Sequence, residues 1–129
     1  GTNCEIKVSD RFTDDFNLTS CNCDNNNVAV HQLTIYSGGG AFSLDLVGLH
    51  DFQDDDGETK AVIDQLNNNQ FEIYRQFFSY VYIGSWKNLE VLGEGTLSDN
   101  GGTLTIEYRL WNTDDATWYD QCTAVYTRD

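Results

Sequence analysis

Hydrophobic and polar residues alternate along much of the chain with a period of two, the pattern of β-strands that bury one face. The clearest run follows Asp99-Asn100-Gly101-Gly102, a turn sequence typical of a β-hairpin. In this run the side chains predicted to face inward are Leu104, Ile106, Tyr108 and Leu110, and those predicted to face outward are Thr105, Glu107 and Arg109.

Further segments have strand character and are separated by residues that favour turns. They are Val28–Ser37, Ala41–His50, Thr59–Leu66, Gln70–Phe78, Tyr80–Trp86, Leu89–Leu97 and Thr117–Thr127. The first changes its apolar face between Val30 and Leu33, which predicts a bulge. The fourth has Phe71, Ile73 and Phe77 on one face, and we expect all three to point inward.

Two glycines interrupt the apolar face of Leu89–Leu97. Gly93 and Gly95 lie at inward positions of this strand. A glycine in a strand interior is typical of a sharp bend or of a close approach by another side chain. We therefore predict one of these two features at Gly93 and Gly95.

Together these patterns predict one all-β domain spanning residues 1–129. Glu58–Leu66 has helical propensity, but it is too short to change the fold class. The chain has no proline, so its edge strands must be protected by charge or by closure of the sheet. We predict an antiparallel meander of about eight to ten strands that closes into a barrel, with an open β-sandwich as the alternative.

The charge balance excludes some classes of partner. Lys and Arg number 7 and Asp and Glu number 21, for a net charge of -14. Such a surface repels nucleic-acid phosphates and anionic lipid headgroups, so we expect neither as a partner. No apolar run approaches the length of a membrane-spanning helix, and we predict no transmembrane segment.

The four cysteines indicate disulfides. Cys4, Cys21, Cys23 and Cys122 lack the paired spacing of zinc ligands, and we predict no metal site. A bond between Cys21 and Cys23 would strain the short loop between them. Two pairings remain open: Cys4–Cys21 with Cys23–Cys122, or Cys4–Cys23 with Cys21–Cys122. Both tie the last strand to the start of the chain and both require an oxidising compartment, so we predict an exported protein.

The second half of the chain resembles a known group. Gly93-Glu94-Gly95-Thr96-Leu97-Ser98, Gly102–Tyr108 and Gln121–Thr127, within residues 89–127, resemble small lipocalin-like lipoprotein or secreted domains of Bacteroidetes. The resemblance implies a lipocalin-like barrel and a place in the cell envelope: the periplasm, the outer-membrane surface or the exterior. Gly1-Thr2-Asn3 before Cys4 departs from a lipidation signal, so we expect any lipid anchor to lie upstream.

Aromatic side chains are the best candidates for ligand contacts. Trp86, Trp111, Trp118, Tyr80 and Tyr82 lie at or near the predicted strand ends. They could line a barrel mouth around a small apolar ligand, stack on a glycan, or simply fill the core.

No catalytic constellation is recognisable. Adjacent carboxylates such as Asp14-Asp15 point to opposite faces of a strand and cannot flank one bond. The acidic run Asp54–Glu58 fails the spacing of a calcium loop and is typical of a hairpin. We expect no enzymatic activity and no cofactor. The sequence predicts an exported cell-envelope binding or surface-interaction module that could hold a small apolar ligand in its barrel, with a carbohydrate-binding β-sandwich as the alternative.

Overall fold

The computed structural model describes residues 11–24, 32–49, 59–82 and 85–129, and of residues 78–82 and 85–88 it describes the backbone alone. These segments form eight antiparallel β-strands. The strands are β1 (Asp14–Cys23), β2 (Gln32–Ser37), β3 (Ser43–Val47), β4 (Thr59–Ile63), β5 (Gln70–Tyr82), β6 (Ser85–Leu97), β7 (Thr103–Asn112) and β8 (Thr117–Arg128).

Each strand pairs with the next in sequence, and β1 pairs with β8, so the sheet is a closed meander barrel. The predicted barrel is therefore confirmed, and the alternative of an open sandwich is not adopted. Closure protects the strands of this proline-free chain, because each of the eight described strands has a neighbour on both sides. Within the described segments, no helix has the length and hydropathy needed to cross a bilayer.

The barrel interior is filled by apolar side chains from all eight strands, which form one buried cluster. Its largest members are Tyr108, Tyr126, Phe12, Phe16 and Phe71. Phe12 precedes β1 and meets the edge of the Phe71 ring with the ring centroids 5.5 Å apart. The four side chains predicted inward on β7 are all buried, so the alternation did identify the core face of this strand.

The two strand glycines allow close contacts inside the barrel. Phe71 lies directly opposite Gly95, and a Cβ on Gly95 would lie 2.1 Å from the Phe71 ring. A Cβ on Gly93 would lie 2.2 Å from the carbonyl oxygen of Glu107. The predicted close approach by a side chain is confirmed at Gly95, whereas at Gly93 the nearest group is the backbone of the neighbouring strand; in each case only glycine fits.

Several predicted boundaries are corrected. The strand predicted as Thr59–Leu66 ends at Ile63. The turn into β5 follows, and in it the Asn67 N–H donates to the carbonyl oxygen of Asp64. Tyr80–Trp86 is not a separate strand, because β5 continues to Tyr82 and β6 already begins at Ser85. The predicted bulge near Val30 and the hairpin at Asp54–Glu58 lie outside the described residues.

The disulfide prediction is resolved in part. Cys23 is bonded to Cys122, its direct partner across β1 and β8, with a sequence separation of 99. This bond selects the first of the two pairings left open by the sequence. Cys4 lies outside the described residues, so the companion bond Cys4–Cys21 stays a prediction.

Candidate functional site

The outer face of β5–β8 carries the exposed aromatic side chains of the candidate site. Phe77 on β5 lies opposite Glu90 on β6, Glu90 lies opposite Trp111 on β7, and Trp111 lies opposite Trp118 on β8. Phe77 is 65% exposed and Trp118 is 47% exposed. We call Phe77, Trp111 and Trp118 the aromatic row.

A bulge in β5 brings Phe77 to the outside, where the sequence pattern had placed it inside. The register with β6 shifts between Ile73 and Gln76. A bulge adds one residue to one strand, and every later side chain then moves to the opposite face. The prediction of an inward Phe77 was therefore wrong.

The Gln76 side chain fixes this bulge against β4. Its Oε1 accepts the Lys60 backbone N–H at 2.7 Å, and its Nε2 donates to the carbonyl oxygens of Lys60 and Tyr74 at 2.8 Å each. The amide thus bonds both backbone groups of Lys60, next to the backbone ladder that pairs Val62 of β4 with Glu72 of β5. Tyr74, within the bulge, is left 45% exposed on the outer face.

Two arginines stack on the tryptophans of the aromatic row. The guanidinium carbon of Arg75 lies 5.4 Å from the centre of the Trp111 ring, and that of Arg109 lies 4.6 Å from the centre of the Trp118 ring. Trp111 and Trp118 also meet edge to face, with the ring centroids 5.0 Å apart. Cation–π and edge contacts of this kind hold aromatic rings in defined orientations.

Arg75 also forms an ion pair with Glu90, its Nε lying 2.8 Å from Glu90 Oε1. Both side chains are substantially exposed, so this pair adds little to stability. Its role in the site is to place a donor group and an acceptor group beside the exposed aromatic rings.

An open groove of about 860 Å³ lies next to the aromatic row on the same outer face. We call it the outer groove. Leu92 and Gly93 belong to its central strand β6, and Tyr74 and Arg109 contribute from the strands on either side. A smaller pocket of about 190 Å³ continues from Arg109 toward Trp118. The groove and the aromatic row therefore form one continuous surface.

Three glutamates cross the outer groove in one row, which we call the glutamate row. Glu72 on β5 lies opposite Glu94 on β6, and Glu94 lies opposite Glu107 on β7. All three side chains are exposed, whereas their neighbours along each strand are largely buried. The sequence pattern had identified Glu107 as outward but had not placed the three together.

The sequence-predicted site is thus brought together only in part. Trp111 and Trp118 are in contact and form the centre of the surface. Trp86 pairs with Val81 in the β5–β6 hairpin. Trp86, Tyr80 and Tyr82 lie in the part of this hairpin for which only the backbone is described. The arginines, Phe77 and the glutamate row were not predicted as site residues.

The three sulfur atoms at the β1–β8 seam form a second cluster. The Sγ atoms of Cys21, Cys23 and Cys122 lie within 4.8 Å of one another, and Cys21 Sγ lies 3.6 Å from Cys23 Sγ. Metal ligation requires thiolates, and two of these sulfurs are joined in the disulfide. In this oxidation state the cluster is therefore structural.

Burial controls the chemistry of Cys21 in the thiol form described. Desolvation raises the pKa of the Cys21 thiol, and a hydrogen bond with Tyr108 offsets the rise only in part. Burial likewise raises the pKa of the Tyr108 hydroxyl well above its ordinary value. A protonated thiol is a weak nucleophile, so the geometry does not favour covalent chemistry at Cys21.

Neither family models nor curated proteins assign a role to this surface. A search of protein-family models finds no match to the chain, and a search of curated proteins finds none either.

Proposed function

We propose that this protein is an exported, non-catalytic binding module that recognises carbohydrate on the outer face of its barrel. The observation that carries the proposal is the aromatic row, which presents Phe77 from β5, Trp111 from β7 and Trp118 from β8 on one surface. A group of adjacent, exposed aromatic side chains is typical of a recognition site.

The chemistry of the row suits a sugar ring. The faces of a pyranose carry C–H groups, which pack against the electron-rich face of an aromatic side chain. The Arg75 and Glu90 pair beside the rings supplies donors and acceptors for hydroxyl groups. Arg109, stacked on Trp118, provides further donors at the edge of the outer groove.

Export is supported by the Cys23–Cys122 disulfide, because such bonds persist in oxidising compartments. The lipocalin-like resemblance supports a location in the cell envelope. The acidic surface fits a domain that stays dispersed and repels anionic polymers.

A small apolar ligand inside the barrel is the less favoured alternative. The described interior positions carry buried side chains that pack into one cluster from all eight strands. A ligand there would have to displace this packing, whereas the outer groove is already open.

Replacing Trp118 by alanine tests the proposal. We expect Trp118→Ala and Phe77→Ala each to weaken binding to the best ligand of an oligosaccharide panel by about tenfold or more, as truncation of a central aromatic does at many interfaces. Binding is measured by isothermal titration, with tryptophan fluorescence as a second readout for the panel.

The matched control is Tyr36→Ala, which removes an aromatic side chain that is 56% exposed on β2, away from the aromatic row. It is expected to leave glycan affinity unchanged. The proposal is overturned if no oligosaccharide of the panel binds, or if Trp118→Ala and Tyr36→Ala weaken binding equally.

A further inference from the structure

We propose that the reduced form of this protein binds one thiophilic metal ion through the sulfur atoms of Cys21, Cys23 and Cys122. A disulfide then closes the barrel between β1 and β8 in the oxidised protein, and a metal ion closes it at the same place in the reduced protein. This site is separate from the outer face, so the proposal does not depend on carbohydrate binding. It departs from the sequence prediction of no metal site, which rested on the spacing of the cysteines along the chain.

The three sulfur atoms come together because of strand pairing. The β1–β8 register shifts between Leu18 and Ser20, and after this bulge Cys21 and Cys23 lie on the face of β1 that packs against the core. Cys122 is the direct partner of Cys23 on β8 and is buried in the same core. Two neighbouring strands thus supply three sulfur atoms to one point of the barrel interior.

The distances between these sulfur atoms suit three ligands of one ion. Cys21 Sγ lies 3.6 Å from Cys23 Sγ, and all three Sγ atoms lie within 4.8 Å of one another. Thiolates that share one metal ion, each about 2.3 Å from it, are about 4 Å apart. Cys21 therefore already lies at ligand spacing from the Cys23–Cys122 pair, although it is bonded to neither residue.

Reduction of the disulfide makes the other two sulfur atoms available. An external dithiol transfers two electrons and two protons to the Cys23–Cys122 bond, which yields two thiols here and a disulfide on the reductant. The Cα atoms of Cys23 and Cys122 are 4.1 Å apart, so both thiols remain beside Cys21 while the strands stay paired. The ion then forms three metal–sulfur bonds and displaces three protons, with no further change of oxidation state.

A buried hydroxyl group supports the role of Cys21 as a ligand. Tyr108 lies opposite Cys122 on β7, is 1% exposed, and forms a hydrogen bond with Cys21. Side chains that bind metal ions are commonly held by hydrogen bonds from a second layer of residues, which orient them. A phenol can donate to a thiolate that is also bound to a metal ion, so Tyr108 can orient Cys21 toward the other two sulfur atoms.

The chemistry around the sulfur atoms favours a thiophilic cation. Asp120 lies two residues before Cys122 on the same face of β8, is 1% exposed, and interacts electrostatically with Cys21. Three thiolates beside this carboxylate would be costly in a barrel interior without a cation. Thiolate ligands select ions such as zinc and copper(I), whereas calcium and magnesium prefer oxygen ligands. Because a divalent ion offsets more negative charge than a monovalent one, zinc fits this site better than copper(I).

Cadmium titration of the reduced protein tests the proposal, because cadmium is a soft analogue of zinc whose thiolate complexes absorb ultraviolet light. The titration uses the Cys4→Ser variant, in which only the three clustered cysteines remain, reduced with dithiothreitol and then freed of it without air. We expect the absorbance to rise to a break at one cadmium per chain and the thermal midpoint to rise with bound metal. Reduced protein that is unfolded without metal should regain β-sheet circular dichroism on binding. The oxidised form of the same variant should show none of these changes.

Further variants on this background locate the ligands. Cys21→Ser keeps both cysteines of the disulfide and removes the third sulfur atom. We expect it to weaken cadmium binding by more than the roughly tenfold to hundredfold that loss of a second-layer hydrogen bond costs, and Tyr108→Phe to weaken it within that range. Tyr36→Phe, which removes the hydroxyl of an exposed tyrosine on β2, is the matched control and should leave the affinity unchanged. Each variant is first checked in its oxidised form, where the disulfide closes the barrel, so that a folding defect is recognised.

The proposal is overturned if Cys21→Ser binds cadmium as tightly as its parent, because two cysteines would then be enough. It is also overturned if two chains share one ion, or if the metal binds as tightly in urea as in buffer, since the cysteines of an unfolded chain also bind metal ions. The reduced wild type and the Cys4→Ser variant should bind cadmium equally. Loss of binding in Cys4→Ser would show that Cys4 is required, and the assignment to three sulfur atoms would be wrong.

Discussion

At the residue scale, Arg128 fastens the seam where the barrel closes. Its guanidinium donates to Gly101 O at 2.8 Å, to Asp14 Oδ2 at 3.1 Å and to Arg11 O at 2.6 Å, and it lies over the Phe16 ring. One side chain of β8 thus contacts the start of β1 and the β6–β7 turn. Several hydrogen bonds from one ordered guanidinium stabilise more than an isolated surface ion pair does.

The same contacts predict how stability depends on pH. A hydrogen bond from the Asp15 backbone N–H, and then the Arg128 guanidinium, lower the pKa of Asp14 below its ordinary value of 3.8. A carboxyl group with a depressed folded-state pKa contributes stability above its unfolded pKa, and this contribution is lost as the pH falls through the folded value. We expect Asp14→Asn to lower the thermal midpoint slightly at neutral pH and to have little effect at about pH 2.

Thermal unfolding followed by circular dichroism across this pH range checks the prediction. Asp129→Asn is the control, because it also removes one negative charge close to Arg128 in sequence. The difference in thermal midpoint between this variant and the wild type should not shrink at low pH as it does for Asp14→Asn. A difference for Asp14→Asn that stays constant from neutral to strongly acidic pH would rule out the assigned role.

At the scale of the elements, glycines and bulges shape the strands that carry the site. The Phe71 ring covers Gly95 from the opposite strand, an arrangement in which an aromatic side chain compensates for the missing one. Bulges lie between Ile73 and Gln76 in β5 and at Leu110/Trp111 in the β7–β8 pair. They set which side chains reach the outer face.

Adding a methyl group at Gly95 tests this packing. Because its Cβ would overlap the buried Phe71 ring, we expect Gly95→Ala to lower the free energy of unfolding by about 2 kcal/mol or more. On a Phe71→Leu background the same change should cost less, since the overlapping ring is gone.

Urea denaturation of the four proteins of this double-mutant cycle gives the coupling. Gly102→Ala, where the added Cβ meets only the Asn100 side chain at 3.3 Å, is the control and should change stability little. Additive effects of Gly95→Ala and Phe71→Leu would show that the ring and the glycine do not depend on each other.

The elements show why sequence patterns predicted the fold better than the site. Counting outward from the turn at Asp99–Gly102 pairs Glu94 with Glu107 correctly, because the β6–β7 register is regular up to that turn. Counting residue pairs along β5 and β6 from the Tyr82–Ser85 pair would align Glu72 with Gly95 instead of Glu94. The count fails because β5 has a bulge between Ile73 and Gln76. That bulge depends on Gln76 bonding to Lys60 of another strand, which no local pattern reveals.

At the scale of the whole molecule, one covalent bond holds the closing strands together. The Cys23–Cys122 disulfide closes a loop with a sequence separation of 99. The four cysteines and the alternating strands were enough to predict this closure, because a long loop that joins the first and last strands suits a sheet closing on itself. The outer groove was not predicted, since it arises from curvature and from the register of strands far apart in sequence.

We predict that removing the Cys23–Cys122 disulfide causes a large loss of stability. We expect the double variant C23A/C122A to lose about 4 to 5 kcal/mol of unfolding free energy, mainly because the unfolded chain regains the freedom of a long loop. Urea denaturation without reductant measures the loss, and any remaining effect of reductant on the variant then reports the predicted Cys4–Cys21 bond.

Peptide mapping of the unreduced wild type provides the control for connectivity. It should give a peptide linked through Cys23 and Cys122, and the predicted companion bond would give one linked through Cys4 and Cys21. A peptide that joins Cys21 to Cys122 would contradict the pairing seen here.

Because β1 pairs with β8, the same order of strands around the barrel could be kept with the chain ends placed elsewhere. Phe16 lies opposite Arg128, so a short linker could join the two ends of the barrel sequence without crossing the sheet. New ends could then be opened in the exposed turn at Asp99–Gly102, although Arg128 would lose its bond to the Gly101 carbonyl if the cut fell there. A circularly permuted protein of this kind would keep the aromatic row and the outer groove intact. Its linker would join β8 to β1, so that these two strands become one continuous hairpin.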